Sequence, residues 1–289
     1  MTAIITGHTR LAGLLGNPTR HSISPEMHTT AFEKTGIDAV YLSFDIKENE
    51  VADAISAIRT LSFIGANVTM PYKMAVIPHL DQLTPAAKLI GAVNTIVPKN
   101  GKLEGHNTDG IGFMRSLADL EVDPIGKQLT ILGAGGASTA IIAQAALDGV
   151  KTIHVFNRKD HFYDQIHEKL AKIAQATGCD IALYDLAGPQ QQLADSLAAS
   201  CLLVNATRVG MAPALAEMAL PEETLLHPDL AVYDVIYEPR QTHLLKVASE
   251  RGLKTANGLG MLLYQGAAAF EAWTGKEMPL AAVRPLLNN

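Results

Sequence analysis

Gln128-Leu129-Thr130-Ile131-Leu132-Gly133-Ala134-Gly135-Gly136-Ala137-Ser138 decides the fold. The mostly apolar residues at its start read as a buried strand, the glycines break it, and the small residues beyond open a helix. In that order, Gly133-x-Gly135-x-x-Ser138 is a dinucleotide-binding turn. The first glycine permits the tight turn and the second lets the backbone approach a pyrophosphate. The helix N-terminus adds unpaired N–H groups and a favourable dipole. Ser138 stands where a third glycine is usual, which is mainly a packing position. Ala134, Gly136 and Ala137 complete the expected cofactor loop. Strands recur at Thr152–Phe156, Asp180–Tyr184, Leu202–Asn205 and Val232–Ile236 with helical stretches between. The segment is therefore expected to be a Rossmann-type, doubly wound domain.

The strand after the loop ends in Val155-Phe156-Asn157-Arg158-Lys159-Asp160. An acidic residue about 20 positions past such a loop accepts the ribose hydroxyls of NAD, and a basic one welcomes the 2′-phosphate of NADP. Here both signs occur. Arg158 can lie on the adenine face or pair with phosphate, whereas Asp160 repels phosphate. Two unit charges near 4 Å interact by ~1 kcal/mol in water and ~4 kcal/mol at a protein-surface dielectric. The expectation is NAD preferred and NADP tolerated.

Upstream of this domain, helix and strand signals also alternate. Leu11–Gly16 is a short apolar strand running into a polar loop that ends in Ser22-Ile23-Ser24-Pro25. Ser24 is placed as an N-cap with Pro25 at the first helical position, and Gly36 stops the helix. A strand at Tyr41–Phe44 precedes a helix with Val51, Ala54, Ile55 and Ile58 on one face. Gly65–Thr69 is a third strand, Thr84-Pro85 and Gly91 bracket a helix, Val93–Val97 is a fourth strand, and Asn100-Gly101 is a hairpin turn. A further helix is expected from about Gly110 to Leu120, then a connector to Lys127. The predicted fold class is α/β in two domains. Residues 1–109 form a mostly parallel substrate domain, completed by C-terminal helices in 257–289 (Leu259–Trp273 and Leu280–Leu287). Residues 110–256 form the cofactor domain.

In open α/β sheets ligands bind at the carboxyl ends of strands. Ser22, Ser24, Thr69, Lys73, Asn94, Asn107 and Asp109 all fall there. Lys73, in Asn67-Val68-Thr69-Met70-Pro71-Tyr72-Lys73, lies in an otherwise uncharged run, where an ammonium needs a partner. Asp109, in Gly105-His106-Asn107-Thr108-Asp109-Gly110, is the candidate, and the two together suggest an acid–base pair working beside a bound cofactor. Asp109 is also placed to cap the helix that follows.

Composition limits the alternatives. At 289 residues two domains are the better prior, with 48% apolar and 18% charged residues as in ordinary globular proteins. A formal charge of −6 argues against general affinity for nucleic acid or anionic membrane. No apolar run is long enough to span a bilayer, and the N-terminal residues lack signal-peptide order, so a cytoplasmic protein is expected. Cys179 and Cys201 have no motif spacing, and the ten histidines no metal-ligand spacing, so no metal is expected.

These stretches, with Gly91-Ala92-Val93-Asn94-Thr95-Ile96, Asn205-Ala206-Thr207-Arg208-Val209-Gly210-Met211 and Gly258-Leu259-Gly260-Met261-Leu262-Leu263-Tyr264-Gln265, make the chain resemble the shikimate dehydrogenase family along nearly its whole length. More closely it resembles the quinate/shikimate dehydrogenase branch. The resemblance implies that Lys73 is the catalytic lysine and Asp109 its partner. It implies that Ser22, Ser24, Thr69, Asn94 and Gln265 bind ring hydroxyls and carboxylate, with Asn67 and Tyr41 beside them. Tyr237 would stand near both nicotinamide and substrate. Gly258 and Met261 would line the nicotinamide end, and Thr207, Arg208 and Val235 would join Asn157, Arg158 and Asp160 in the cofactor set. The family's NADP-specific members carry Asn-Arg-Thr where this chain has Asn157-Arg158-Lys159, so strict NADP dependence is not implied. A dimer is common in the family, and the Leu259–Trp273 helix is apolar enough to pack on its own domain or on another subunit.

The implied chemistry is reversible hydride transfer between nicotinamide and a ring carbonyl carbon, interconverting shikimate and 3-dehydroshikimate. Lys73 gives a proton to the nascent alkoxide and takes it back in reverse, while Asp109 positions the ammonium. Three alternatives stay open: a quinate-preferring catabolic enzyme, a non-catalytic NAD(P)-binding sensor, and a folate-linked dehydrogenase of the same architecture. The last shares neither the Ser22/Ser24 pair nor Gln265.

Overall fold

The structure is a computed structural model and describes residues 5–288. Two compact units divide these residues. One reaches Gly112 and resumes at Leu263, and the other runs Phe113–Leu262.

The first unit contains β1 (Arg10–Gly16), α1 (Ser24–Thr35), β2 (Ala39–Asp45), α2 (Val51–Thr60), β3 (Gly65–Val68), β4 (Gln82–Leu83), α3 (Pro85–Ile90), β5 (Thr95–Lys99) and β6 (Lys102–His106). Its strands lie in the order β2-β1-β3-β5-β6-β4. The β1/β2, β1/β3 and β4/β6 pairs are parallel, and β5 is antiparallel to both β3 and β6. The β5–β6 hairpin turns through Asn100 (φ 52°) and Gly101 (φ 77°), as two-residue hairpins with both central residues left-handed do. Val51, Ile55 and Ile58 of α2 are buried against Leu15, Val68 and Ile96, the face that the helical period selects.

The second unit contains β7 (Gln128–Leu132), α5 (Gly136–Asp148), β8 (Thr152–Asn157), α6 (Tyr163–Thr177), β9 (Asp180–Asp185), α7 (Gln190–Ala198), β10 (Leu202–Asn205), β11 (Ala231–Asp234), α8 (His243–Glu250) and β12 (Thr255–Ala256). All its strand pairs are parallel, in the order β12-β11-β10-β7-β8-β9. That is the doubly wound order. The crevice where the connections reverse lies between β7 and β10, at the end of β7 where the glycine loop begins. Two helices carry the chain between units, α4 (Asp109–Ser116) and α9 (Leu259–Thr274); α10 (Leu280–Val283) follows. In the first unit Trp273 of α9 donates its indole N–H to the Ile96 carbonyl at 3.0 Å. It fills the space over Gly65 where a Cβ would overlap the indole ring.

Two local expectations change. Ser24 is not the cap of α1. Ile23 already has helical angles, so the helix begins a residue early, and Ser22 Oγ instead accepts the Ser24 N–H at 3.2 Å. The helix expected to reach Leu120 ends at Ser116, whose hydroxyl turns back to the Phe113 carbonyl at 2.6 Å.

Candidate active site

In the first unit, α3 is capped by Gly91 (φ 68°), and the short segment leading into β5 brings Asn94 to the carboxyl end of β3. There Val68 N–H donates to the Asn94 carbonyl at 2.8 Å. The lysine loop leaves the same end of β3, and its Lys73 carbonyl accepts the Val93 N–H at 2.8 Å. Lys73 and Asn94 are therefore tied through main chain before any side chain meets.

The side chains then converge. Lys73 Nζ lies 2.6 Å from Asp109 Oδ2, with the lysine side chain 30% and the aspartate 14% exposed. The other oxygen, Oδ1, accepts from Asn94 Nδ2 at 2.8 Å. Asn107 Oδ1 accepts the Asp109 N–H at 3.1 Å where α4 begins, and among the described residues the Asp109 carboxylate is engaged by Lys73 and Asn94 rather than by a main-chain N–H of α4. Both carboxylate oxygens are thus free of the helix they begin.

Beneath this pair is a buried polar network. Asn94 Oδ1 accepts from Thr108 N at 2.8 Å and from Thr95 Oγ1 at 2.9 Å, and Asn94 Nδ2 also donates to Thr108 Oγ1 at 3.0 Å. Asn67 donates to the Asn94 carbonyl and to Thr95 Oγ1, and accepts the Tyr41 hydroxyl at 2.8 Å. Amide orientation at Asn94 is set by these partners: its oxygen faces donors and its nitrogen must face Asp109. Thr95 and Thr108 did not stand out in the sequence, although both flank residues that did.

Tyr41, expected to shape the pocket, is 1% exposed with its hydroxyl committed to Asn67. It is a strand-core residue because β2 turns it inward onto His28, ring centroids 4.7 Å apart. Burial pushes its hydroxyl well above the usual phenol range. Asn67 is likewise buried and braces Asn94 from below. Ser22 and Thr69 are half-buried, Ser24 is buried, and Gln265 is half-buried on α9.

In the second unit, the loop after β7 is built as its glycines require. Gly133 has φ 92°, and a Cβ there would sit 3.0 Å from the Ala206 carbonyl oxygen. Nothing lies within 4 Å of a Cβ position at Gly135 or Gly136. Gly135 is the N-cap of α5 and makes no side-chain cap bond. Ser138, in the third-glycine position, is buried and donates its hydroxyl to the Gly133 carbonyl at 2.7 Å, closing the loop on itself.

The strand-end residue that touches this loop is Asn157, whose Oδ1 accepts the Ala134 N–H at 3.1 Å. Arg158 is exposed. Asp160 stands three residues beyond the strand, and its Oδ1 accepts the Phe162 N–H at 2.9 Å ahead of α6. Thr207 closes a turn on Asn205 at 2.7 Å, and Arg208 is exposed. Gly258 has no room for a Cβ, which would overlap the Val235 carbonyl. Met261 is buried, with its N–H donating to Tyr233 Oη at 3.0 Å. Tyr237 is 48% exposed.

One group escaped the sequence reading. Asp234, fully buried at the end of β11, accepts from Asn205 Nδ2, Thr242 Oγ1 and Ile236 N. Burial raises its carboxyl above the usual range against the pull of those three donors. It ties together the loops that carry Thr207 and Val235. Among the described residues no cluster of three or more His, Cys, Asp or Glu could hold a metal, and no helix is long and apolar enough to cross a membrane.

Known proteins are similar to this chain along its length. Residues 14–96 match the shikimate dehydrogenase substrate binding domain, and residues 258–287 the shikimate 5'-dehydrogenase C-terminal domain. The NADP(+) shikimate dehydrogenase of Listeria monocytogenes is 50% identical over 287 residues, 99% of this chain and 98% of that protein. The crystal structure of shikimate 5-dehydrogenase from Listeria monocytogenes in complex with shikimate and NAD superposes with a TM-score of 0.96, covering 99% of both chains. Quinate dehydrogenase from Corynebacterium glutamicum in complex with NAD is 31% identical with a TM-score of 0.85, covering 97% of this chain and 99% of that one. On identity, coverage and fold together, the chain belongs to the shikimate dehydrogenase family of oxidoreductases.

Proposed function

We propose that this chain catalyses the reversible, nicotinamide-dependent interconversion of shikimate and 3-dehydroshikimate. The observation that carries the reading is the Lys73–Asp109 pair, held at 2.6 Å with Asn94 on the second carboxylate oxygen. A binding protein needs no such proton carrier.

In this reading Lys73 protonates the ring oxygen as it becomes an alkoxide, and removes that proton in the oxidative direction. Asp109 aims the ammonium, and the positive charge stabilises the developing oxyanion. Ser22, Ser24, Thr69, Asn94 and Gln265 supply hydrogen bonds to the hydroxyls and carboxylate of the ring. Such a site rejects rings lacking the matching groups, because its own donors and acceptors would be left unpaired. The dinucleotide, when bound, supplies or accepts the hydride.

The glycine loop fits that cofactor: Gly135 and Gly136 leave open space and α5 presents an uncapped N-terminus. The Gly133–Ser138 loop would hold the pyrophosphate. Asn157, Arg158, Thr207 and Arg208 would hold the adenosine half, and Val235, Tyr237, Gly258 and Met261 the nicotinamide end. NAD is favoured and NADP accepted, because Arg158 attracts the 2′-phosphate while Asp160 opposes it. Of the Listeria monocytogenes relatives, one is an NADP(+) shikimate dehydrogenase and one is a shikimate 5-dehydrogenase in complex with shikimate and NAD.

Nicotinamide absorbance with each pairing of NAD or NADP and shikimate or quinate tests the assignment. Turnover of shikimate is expected, and absence of turnover with every pairing refutes it. Lys73→Ala should lose ~10²–10⁴ in kcat with a smaller change in substrate KM and unchanged circular dichroism. Quinate is the second reading, supported by the likeness to the Corynebacterium glutamicum quinate dehydrogenase. A higher kcat/KM for quinate than for shikimate would favour it.

A further inference from the structure

The loop bearing Ser22 and Ser24 is anchored from outside the proposed substrate site. Asp45 ends β2 directly beside Gly16, the last residue of β1. Its Oδ1 accepts both the N–H of Thr19 at 2.6 Å and the Thr19 hydroxyl at 2.7 Å, and Thr19 is buried. Its Oδ2 faces the exposed Arg20 guanidinium at 3.5 Å. The two Thr19 bonds hold the Asp45 carboxyl below the usual carboxylate range. From Thr19 the connection continues inward. The Thr19 carbonyl accepts the Ser22 N–H at 3.0 Å, and Ser22 Oγ accepts the Ser24 N–H.

The next residue extends the anchor to the lysine loop. The Ile46 carbonyl accepts both Asn17 Nδ2 at 3.1 Å and the Tyr72 hydroxyl at 2.8 Å, while Asn17 N–H donates to the Met70 carbonyl. The end of β2 thus holds the serine loop on one side and the lysine loop on the other.

We propose that Asp45 is a positioning residue for substrate binding, acting through Thr19 to hold Ser22 and Ser24 in register with Lys73. This rests on the reading of Ser22 and Ser24 as substrate ligands. In that reading the serines hydrogen-bond ring groups while Lys73 carries the proton, and contacts that take no part in the proton transfer are equally strong in ground and transition states. Loss of such contacts raises KM and leaves kcat. Asp45→Ala removes a charged acceptor from two donors. Asp45→Asn keeps an acceptor oxygen for them.

The test is steady-state kinetics with shikimate and NAD on the full chain. Asp45→Ala should raise the shikimate KM roughly ten-fold, and Thr19→Val, which removes only the hydroxyl bond, roughly three-fold. Asp45→Asn should stay within about two-fold of the parent, as should kcat and the NAD KM in all three variants. In the Ser22→Ala background the effect of Asp45→Ala should shrink, because both act through one contact. An unchanged shikimate KM in Asp45→Ala overturns the proposal, as do equal losses in kcat and NAD KM or full additivity with Ser22→Ala. Should Asp45→Ala be insoluble, an unchanged KM in Thr19→Val overturns it. A parent protein that turns over neither NAD nor NADP with either shikimate or quinate overturns the underlying site reading and this assignment with it, an outcome distinct from an active parent with an indifferent Asp45.

Discussion

His28 offers the sharpest test of the first unit's energetics. Its ring is fully buried between Tyr41, Trp273 and Phe270, and neither nitrogen has a hydrogen-bond partner among the described residues. Burial alone pushes its pKa down to about 3 from 6.5. Above pH 6.5 folded and unfolded chains both carry a neutral ring. As pH falls below that value the unfolded chain takes up a proton that the folded one refuses until about pH 3, so stability falls with falling pH. For one site with those two pKa values the loss is about 2 kcal/mol by pH 5 and approaches about 5 kcal/mol below pH 3. His28→Phe keeps a flat ring among aromatic neighbours, removes both unpaired nitrogens and cannot titrate. The chain's single tryptophan, Trp273, lies 5.1 Å from His28 in the same unit, so its fluorescence in urea reports the relevant unfolding. Comparing parent and variant at pH 7 and pH 5 cancels every other titrating group. The stability gap in favour of His28→Phe should widen by about 2 kcal/mol between those pH values. An equal gap at both, or a His28 imidazole titrating near pH 6 by NMR in the folded protein, would refute the argument.

Other perturbations separate the roles of neighbouring groups. Thr108→Val removes a buried hydroxyl that accepts from Asn94 Nδ2, loosening the amide that faces Asp109. We expect kcat to fall roughly ten-fold, with recovery in Thr108→Ser. Asp160→Asn keeps the acceptor for Phe162 N–H while deleting the charge. The NADP-to-NAD ratio of kcat/KM should rise about five-fold or more, and an unchanged ratio would show that Asp160 does not face the 2′-phosphate. Gly258→Ala forces a methyl into the Val235 carbonyl, so the melting transition of the second unit should move down by the equivalent of about 1–3 kcal/mol and NAD affinity should weaken.

The parts of this molecule legible in the sequence are those whose cause is local. The β7–loop–α5 turn is dictated by Gly133, whose positive φ is written in the residue itself. Helix α1 was bounded by Pro25 and Gly36, and the buried face of α2 by its apolar spacing. What stayed hidden depends on partners remote in the chain. β4 and β12 are two residues each, too short to show alternation, and exist because β6 and β11 offer edges to pair with. The antiparallel insertion of β5 between β3 and β6 leaves no trace in its own residues. Asp234 looks like any strand-end aspartate until Asn205 and Thr242 close on it. Tyr41 was a plausible pocket residue because its hydroxyl needs a partner, and that partner turned out to be Asn67 in the core.

The geometry around Asp109 shows why the site residues fall in several separate motifs. An aspartate at the start of a helix is favoured by the dipole, but in that position its carboxylate is ordinarily used for capping. Here Asn107 accepts the Asp109 N–H, while the carboxylate turns its Oδ2 to Lys73 and its Oδ1 to Asn94. The lysine is not positioned by its flexible stem alone, since its main chain is bonded to Val93, the residue preceding Asn94. A shift of the segment leading into β5 would therefore carry Lys73 and the amide that fixes its partner together, preserving their separation. Arrangement of this kind lowers the reorganisation needed at the moment of proton transfer, which is what a pre-set acid–base pair contributes to rate. Replacing Asn107 by Ala would leave the Asp109 N–H without its acceptor and free the start of α4 to shift beneath the carboxylate that faces Lys73. The Lys73–Asp109 separation, and turnover with it, should then suffer although neither Lys73 nor Asp109 has been altered.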